Sequence, residues 1–226
     1  MSAELIEYLS GFVTPERWKL FENVLENRTK YLTIALEDIY QPQNASAVLR
    51  SCDCFGIQNV HVIENRNEFN VDREVAMGAS KWLNLYKYNR SDQNSLEAIT
   101  KLKEEGYRIV ATTPHEGDLN LEEFDLTKGK AALIFGTELT GITDIVKQEA
   151  DEFVKIPMYG FTESFNISVS AALCLHHLTH KLRYNSDIDW KLNEAEKQEI
   201  MLEWLRRTIK SSSLLEERFL KMKGYK

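Results

Sequence analysis

A chain of 226 residues with 43% hydrophobic and 28% charged side chains suits one sizeable domain or a domain with an appendage, which excludes collagen-like, mucin-like and wholly disordered classes. Its formal charge of −7 argues against coating nucleic acid through a bulk positive field and leaves only a localised basic patch for such a partner. No run approaches the roughly 20 apolar residues of a membrane span, so no membrane partner is expected.

The opening residues, Met1 to Phe12, show neither a basic flank nor an apolar core of a secretory signal, and the expected compartment is the cytoplasm. Trp18, Phe21, Val24 and Leu25 then fall at helical spacing behind Thr14-Pro15-Glu16, a cap and first turn, so residues 1–30 are expected to form a helical lead-in. From Tyr31 to Arg183, β-branched runs alternate with helical patterns. The runs are 31–36, 59–63, 108–113, 131–135 and 153–156, and the helices lie near 44–54, 95–105, 143–149 and 166–182. Asn44 and Ser95 stand where caps of two of these helices are expected. Alternation of this kind predicts an α/β domain on a parallel sheet over 31–183. Residues 184–226 form a C-terminal helical extension, two helices broken near Ser211-Ser212-Ser213, with seven basic residues against two acidic ones from Trp204 onward.

A doubly wound sheet binds ligands at the carboxyl ends of its strands, and three segments there carry polar side chains. After the first strand, Asn44 opens a helix and Arg50 follows six residues later, where its fork can meet a phosphate or carboxylate, or merely face solvent. After the fourth run, Gly136-Thr137-Glu138-Leu139-Thr140-Gly141 allows close backbone approach to a ligand, or an ordinary turn. It is neither a Walker loop nor a Gly-x-Gly-x-x-Gly fingerprint, which sets aside a nicotinamide dehydrogenase. After the fifth, Ser164, Asn166 and Ser168 lie at the mouth of a small-residue helix. Ser164 lacks a nucleophile elbow, so a hydrolase is excluded.

His176 and His180 share a helical face, but the glutamate of a His-Glu-x-x-His zinc site is missing, and no metal is expected. Cys52, Cys54 and Cys174 are expected as reduced thiols, since three cannot all pair and Cys52-Asp53-Cys54 is too sparse for zinc.

Taken jointly, Asn44 to Arg50, Ile134 to Ile142, and Ile156-Pro157-Met158 with Ser164 to Val169 resemble the SpoU/TrmH family of SPOUT RNA 2'-O-ribose methyltransferases in order and spacing. The likeness runs from about Arg17 to Arg183. It implies that the last part of the parallel-sheet domain is threaded as a trefoil knot, with helical extensions at both ends. It also implies S-adenosyl-L-methionine as cofactor, held near Thr112, Gly136, Ile156, Met158 and Phe165. A tRNA substrate is implied, methylated at the D-loop guanosine, position 18, and so is a homodimer whose active sites combine residues of both subunits. The catalytic set would be Arg50, Asn44, Glu138, Ser164 and Asn166: Arg50 beside the target ribose, Asn44 steadying it, Glu138 organising the second loop, and Ser164 with Asn166 orienting substrate or cofactor. By charge alone, Arg17, Lys19, Arg28 and Lys30, with the basic residues from Arg206 to Lys226, are candidates to hold tRNA phosphates, the alternative being amphipathic helices that only cover the domain.

Three positions depart from the family's pattern: Gln43 replaces a usual His, Thr137 a Pro or Gln, and Phe165 a Leu. Phe165 is expected to narrow the adenine pocket. A related methyltransferase acting on rRNA or another tRNA ribose, and a knotted RNA-binding module without catalysis, are the alternatives.

Overall fold

Leu32–Glu37 is a strand buried at every position, and that follows from its place in the middle of a sheet covered on both faces. The computed structural model describes residues 2–114, 118–137, 140–185 and 187–224. Seven strands, β1 (Leu32–Glu37), β2 (Asn59–Ile63), β3 (Asn84–Tyr88), β4 (Arg108–Thr112), β5 (Leu119–Asn120), β6 (Ala131–Phe135) and β7 (Glu152–Lys155), pair in the order β3-β2-β1-β6-β4-β7-β5. Every pairing is parallel. A parallel sheet needs cover on both faces, which is why β1 and β6 read as nearly continuous apolar runs. The strand order reverses between β1 and β6, the place where such sheets leave a crevice.

Alternate residues of the strands feed two separate cores. Ile34, Leu36, Val60 and Leu133 point toward α3 (Pro42–Cys54) and α7 (Ile167–Tyr184), whereas Ala35, Ile109 and Ile134 meet α5 (Asn94–Glu104) and α6 (Asp144–Glu149). A short helix, α4 (Arg73–Ala76), lies against α3.

Two expected caps are corrected. The cap of α3 is Gln41 with Pro42 in the first turn, and Asn44 falls inside the helix. Proline at a first helical position marks the start, because its missing N–H has no intrahelical partner there. Likewise Gln93 precedes α5, while Ser95 is buried and donates to the Glu37 carboxylate.

The chain divides into two compact units, Thr29–Trp190 and the two chain ends, Met1–Arg28 with Lys191–Lys226. In the terminal unit, α1 (Ser2–Ser10) and α2 (Pro15–Leu25) join α8 (Glu194–Thr208) and α9 (Ser212–Met222). Thr14 caps α2 by accepting from the Arg17 N–H at 3.2 Å, and Asn193 with Glu196 forms a capping box on α8. Trp204 is buried against Phe21, ring centroids 5.5 Å apart, with the Arg28 guanidinium 5.5 Å from its ring. Arg28 is only 2% exposed, so it does not serve as a phosphate contact. Among the described residues no helix is long and apolar enough to cross a membrane.

His61 on β2 is buried, its Nδ1 2.9 Å from the Tyr88 hydroxyl and its ring stacked on Tyr86. Burial, helped by Lys101, lowers its pKa from 6.5 to about 4. The unfolded chain therefore binds this proton more readily, and the neutral imidazole's contribution to stability, complete above about pH 6.5, is lost as pH falls toward 4. Urea midpoints of His61→Phe should fall less between pH 7 and pH 4.5 than those of the parent protein.

Candidate active site

The carboxyl ends of β4, β6 and β7 open into a cavity of about 440 Å³ whose wall includes Thr112, Gly136, Ile156, Met158, Phe165 and Ser164. Two sequence segments separated by the length of α6 and β7 thus face one space. The loop after β6 closes on itself through paired bonds between Thr137 and Gly141, N–H to carbonyl at 3.0 Å in both directions. Gly141 takes φ 67 to make the turn, and a Cβ on Gly136 would collide with the Gly141 carbonyl. Glycine at both positions is therefore a steric demand. Glu138, expected to organise this loop, lies outside the described residues.

Asn166 caps α7, its Oδ1 accepting from the Ser168 N–H at 2.9 Å. Its Nδ2 donates to Asn44 Oδ1 at 3.1 Å across 122 residues of sequence, and Asn44 Nδ2 donates in turn to Gln41 Oε1 at 3.1 Å. The first and third polar segments are thereby joined by side chains. Arg50 is not drawn in. It stands exposed on α3, has no hydrogen-bond or ion-pair partner among the described residues, and lines no part of the cavity.

Cys174 also borders the space, and burial pushes its thiol up to about 12. It stays protonated and forms an inert wall, where an exposed thiolate would be a nucleophile. Glu37, at the end of β1, is another residue that pattern did not reveal. Its buried carboxylate accepts from the Thr143 N–H at 2.9 Å and the Thr143 hydroxyl at 2.8 Å, and from Ser95. Its signal was hidden by the apolar run it ends. Thr143 caps α6, so Glu37 fixes where that helix begins.

A second cavity of about 830 Å³ lies at the ends of β1 and β2 and shares Thr137, Gly141, Ile142 and Lys147 with the first. His176 and His180 are exposed on α7, ring centroids 6.4 Å apart, with His180 against Tyr184 at 4.5 Å. Among the described residues no group of three His, Cys, Asp or Glu side chains is placed to hold a metal.

Residues 31–176 match the model of the SpoU rRNA methylase family. A protein of Borreliella burgdorferi called tRNA (guanosine(18)-2'-O)-methyltransferase is 46% identical over 211 residues, 93% of this chain and 94% of its own. The crystal structure of the A. aeolicus TrmH/SpoU tRNA modifying enzyme superposes with a TM-score of 0.76 at 26% identity, covering 86% of this chain and 97% of that one. The fold is shared as well with the Streptomyces viridochromogenes SpoU methyltransferase AviRb, solved in complex with AdoMet, at a TM-score of 0.60, 21% identity, and 72% and 65% coverage.

Gly136→Ala should open the 136–141 loop and weaken S-adenosyl-L-methionine binding by about tenfold, equivalent to ~1.4 kcal/mol, while circular dichroism shows the sheet intact. Unchanged affinity by calorimetry would mean that this loop takes no part in holding the cofactor.

Proposed function

This chain belongs to the SpoU rRNA methylase family, and on that premise we propose that it transfers a methyl group from S-adenosyl-L-methionine to the ribose 2'-oxygen of guanosine 18 in the D-loop of tRNA. The observation that carries this is the cavity at the ends of β4, β6 and β7, where both the glycine loop and the Ile156 to Phe165 segment converge. The relative of 46% identity, matched over nearly the whole of both chains, favours tRNA over ribosomal RNA.

The residues present fit the cofactor. Ile156, Met158, Phe165 and the neutral Cys174 give an apolar surround for an adenine, and the Gly136 to Gly141 loop leaves backbone at its edge. When bound, S-adenosyl-L-methionine supplies an electrophilic methyl group on a sulfonium. The chain's own work is then to align the ribose oxygen and to stabilise the charge it develops. Alignment alone is worth up to about 7 to 11 kcal/mol in the best intramolecular models. Arg50 is assigned the second task. With an ordinary pKa of about 12.5 to 13.8 a guanidinium is a poor base but a good partner for an alkoxide and a neighbouring phosphate. Asn44 and Asn166 hold the helix that carries it, and Ser164 orients substrate or cofactor at the rim.

Arg50 lines neither of the two cavities at the strand ends, and we assign it to the site of a second copy in a homodimer. Val169, Leu173, His176, His180 and Tyr184 repeat at helical spacing on the exposed side of α7, with Val169 44%, Leu173 40% and Tyr184 79% exposed. A stripe of apolar and aromatic side chains interleaved with two histidines beside α3 suits burial against its own copy. The same proposal takes residues 31–183 as the methyltransferase domain, threaded as a knot, with both extensions serving tRNA in the cytoplasm.

Incubating the purified protein with labelled S-adenosyl-L-methionine and unmodified tRNA, then mapping the label, should find it on guanosine 18. Label on another nucleotide or none overturns the assignment. Arg50→Ala should lower the rate by about 100-fold or more with cofactor binding unchanged, and equal loss of both would make Arg50 structural. Leu173→Glu should shift the protein from dimer to monomer in sedimentation and abolish methylation.

A further inference from the structure

The larger cavity, about 830 Å³ at the ends of β1 and β2, has a rim whose construction the methyl-transfer chemistry does not explain. Asp38, directly after β1, is buried and takes φ 54, a left-handed backbone that non-glycine residues adopt rarely. Its Oδ1 accepts three consecutive backbone N–H groups, from Asn65 at 2.7 Å, Arg66 at 2.8 Å and Asn67 at 3.3 Å. Its carbonyl accepts from Asn67 Nδ2 at 2.9 Å. The backbone beneath Arg66 is therefore clamped. Arg66 lines the cavity, and its guanidinium has no hydrogen-bond or ion-pair partner among the described residues.

An arginine with a fixed root and a free fork is arranged for a ligand that presents two acceptors side by side. The remaining walls say what kind. Buried Ile39, Ile142 and Ile167 supply an apolar part, Glu37, Asp38, Asn67, Asp144 and Lys147 a polar part, and Tyr40, 76% exposed, also lines the space. A flat heteroaromatic ring suits that surface, while a hydrated phosphate would lose solvation against it. The two cavities are neighbours that share the wall residues Thr137, Thr140, Gly141, Ile142, Lys147 and Ile167.

We propose that this cavity is the subsite for the base of the target nucleotide and that Arg66 reads guanine through its O6 and N7 atoms. The proposal rests on the 2'-O-methylation of guanosine argued above and names the part of the protein that selects the base. A ribose oxygen in line with a methyl donor in the first cavity requires its base close by, and the second cavity adjoins the first across a shared wall. Guanine offers O6 and N7 as adjacent acceptors to a bidentate arginine, whereas adenine pairs N7 with an amino donor that meets the guanidinium unfavourably. The guanine is unstacked from the D-loop to enter, and Tyr40 supplies a stacking face in exchange.

The test uses the full chain and tRNA transcripts carrying guanosine, 7-deazaguanosine or adenosine at the methylated position. The parent enzyme should favour guanosine over 7-deazaguanosine by about 5- to 150-fold, the range one bidentate contact supplies. Arg66→Ala should lower the guanosine rate by a similar factor and become indifferent to the missing N7, with cofactor affinity unchanged. Arg66→Lys should retain part of the rate but lose most of the discrimination. A parent enzyme that methylates guanosine without sensing N7 overturns the subsite and leaves the reaction standing. Equal loss by Arg66→Ala on all three substrates, with a shallower salt dependence, marks a phosphate contact and also overturns it. Should the variants fail to fold, the N7 effect on the parent enzyme decides alone. A parent enzyme that methylates no tRNA takes down the reaction and the subsite together.

Discussion

The carboxamide of Asn166 is the joint on which the site depends. One end of it caps α7 through the Ser168 N–H, and the other donates to Asn44 on α3. A cap is worth about 0.5 to 2 kcal/mol, a modest sum, but here the same group also fixes the spacing of two helices that carry the polar segments. The apolar packing of α3 on α7 through residues such as Val48, Leu175 and Leu178 supplies the stability. The Asn44 to Asn166 bond supplies the register, since apolar contact is non-directional and tolerates sliding that a hydrogen bond does not.

Glu37 plays the matching part on the other side of the sheet. A buried carboxylate is tolerable only when its lone pairs are filled, and Thr143 with Ser95 fills them. Asn65 Nδ2 then donates to the Ser95 hydroxyl at 2.9 Å. The ends of β1 and β2 and the starts of α5 and α6 therefore share one polar network around the larger cavity. Asp38, the next residue, pins the segment that carries Arg66. Two adjacent acidic residues at one strand end thus organise both walls of the proposed base subsite.

Much of this was legible in the sequence where burial was symmetrical. β1, β2 and β6 are buried at every position, so composition alone marks them, and the spacing of the polar segments matched a family before any contact was known. Asn84–Tyr88 escaped because an edge strand half exposed to solvent carries Asn, Tyr and Lys without a continuous apolar run. Leu119–Asn120 is too short to show a period. Asn44 suits a cap by residue type alone, whereas Pro42 is the stronger signal. Arg28 looked like a phosphate ligand from charge alone, and only packing on Trp204 reveals it as a structural cation. Arg66 was invisible for a different reason. Its meaning depends on a backbone clamp from Asp38, some 28 residues away at the end of β1, and no local pattern records that.

The basic tail has a similar lesson for the electrostatics. Arg206 is held by Glu216 at 2.8 and 2.9 Å and by Glu203 at 2.8 Å, and Lys223 pairs with Glu4 at 2.9 Å. Lys210, Arg218 and Lys221 are exposed without an ion pair among the described residues. Each phosphate neutralised contributes roughly 0.9 to the salt slope on B-form DNA and about 0.7 on single strands. A handful of free cations on a protein of net charge −7 therefore gives a shallower slope than a nucleic-acid coating protein shows. Affinity for the proposed tRNA must then come in larger part from groups that engage one nucleotide closely, which places the burden of recognition on the two cavities at the strand ends.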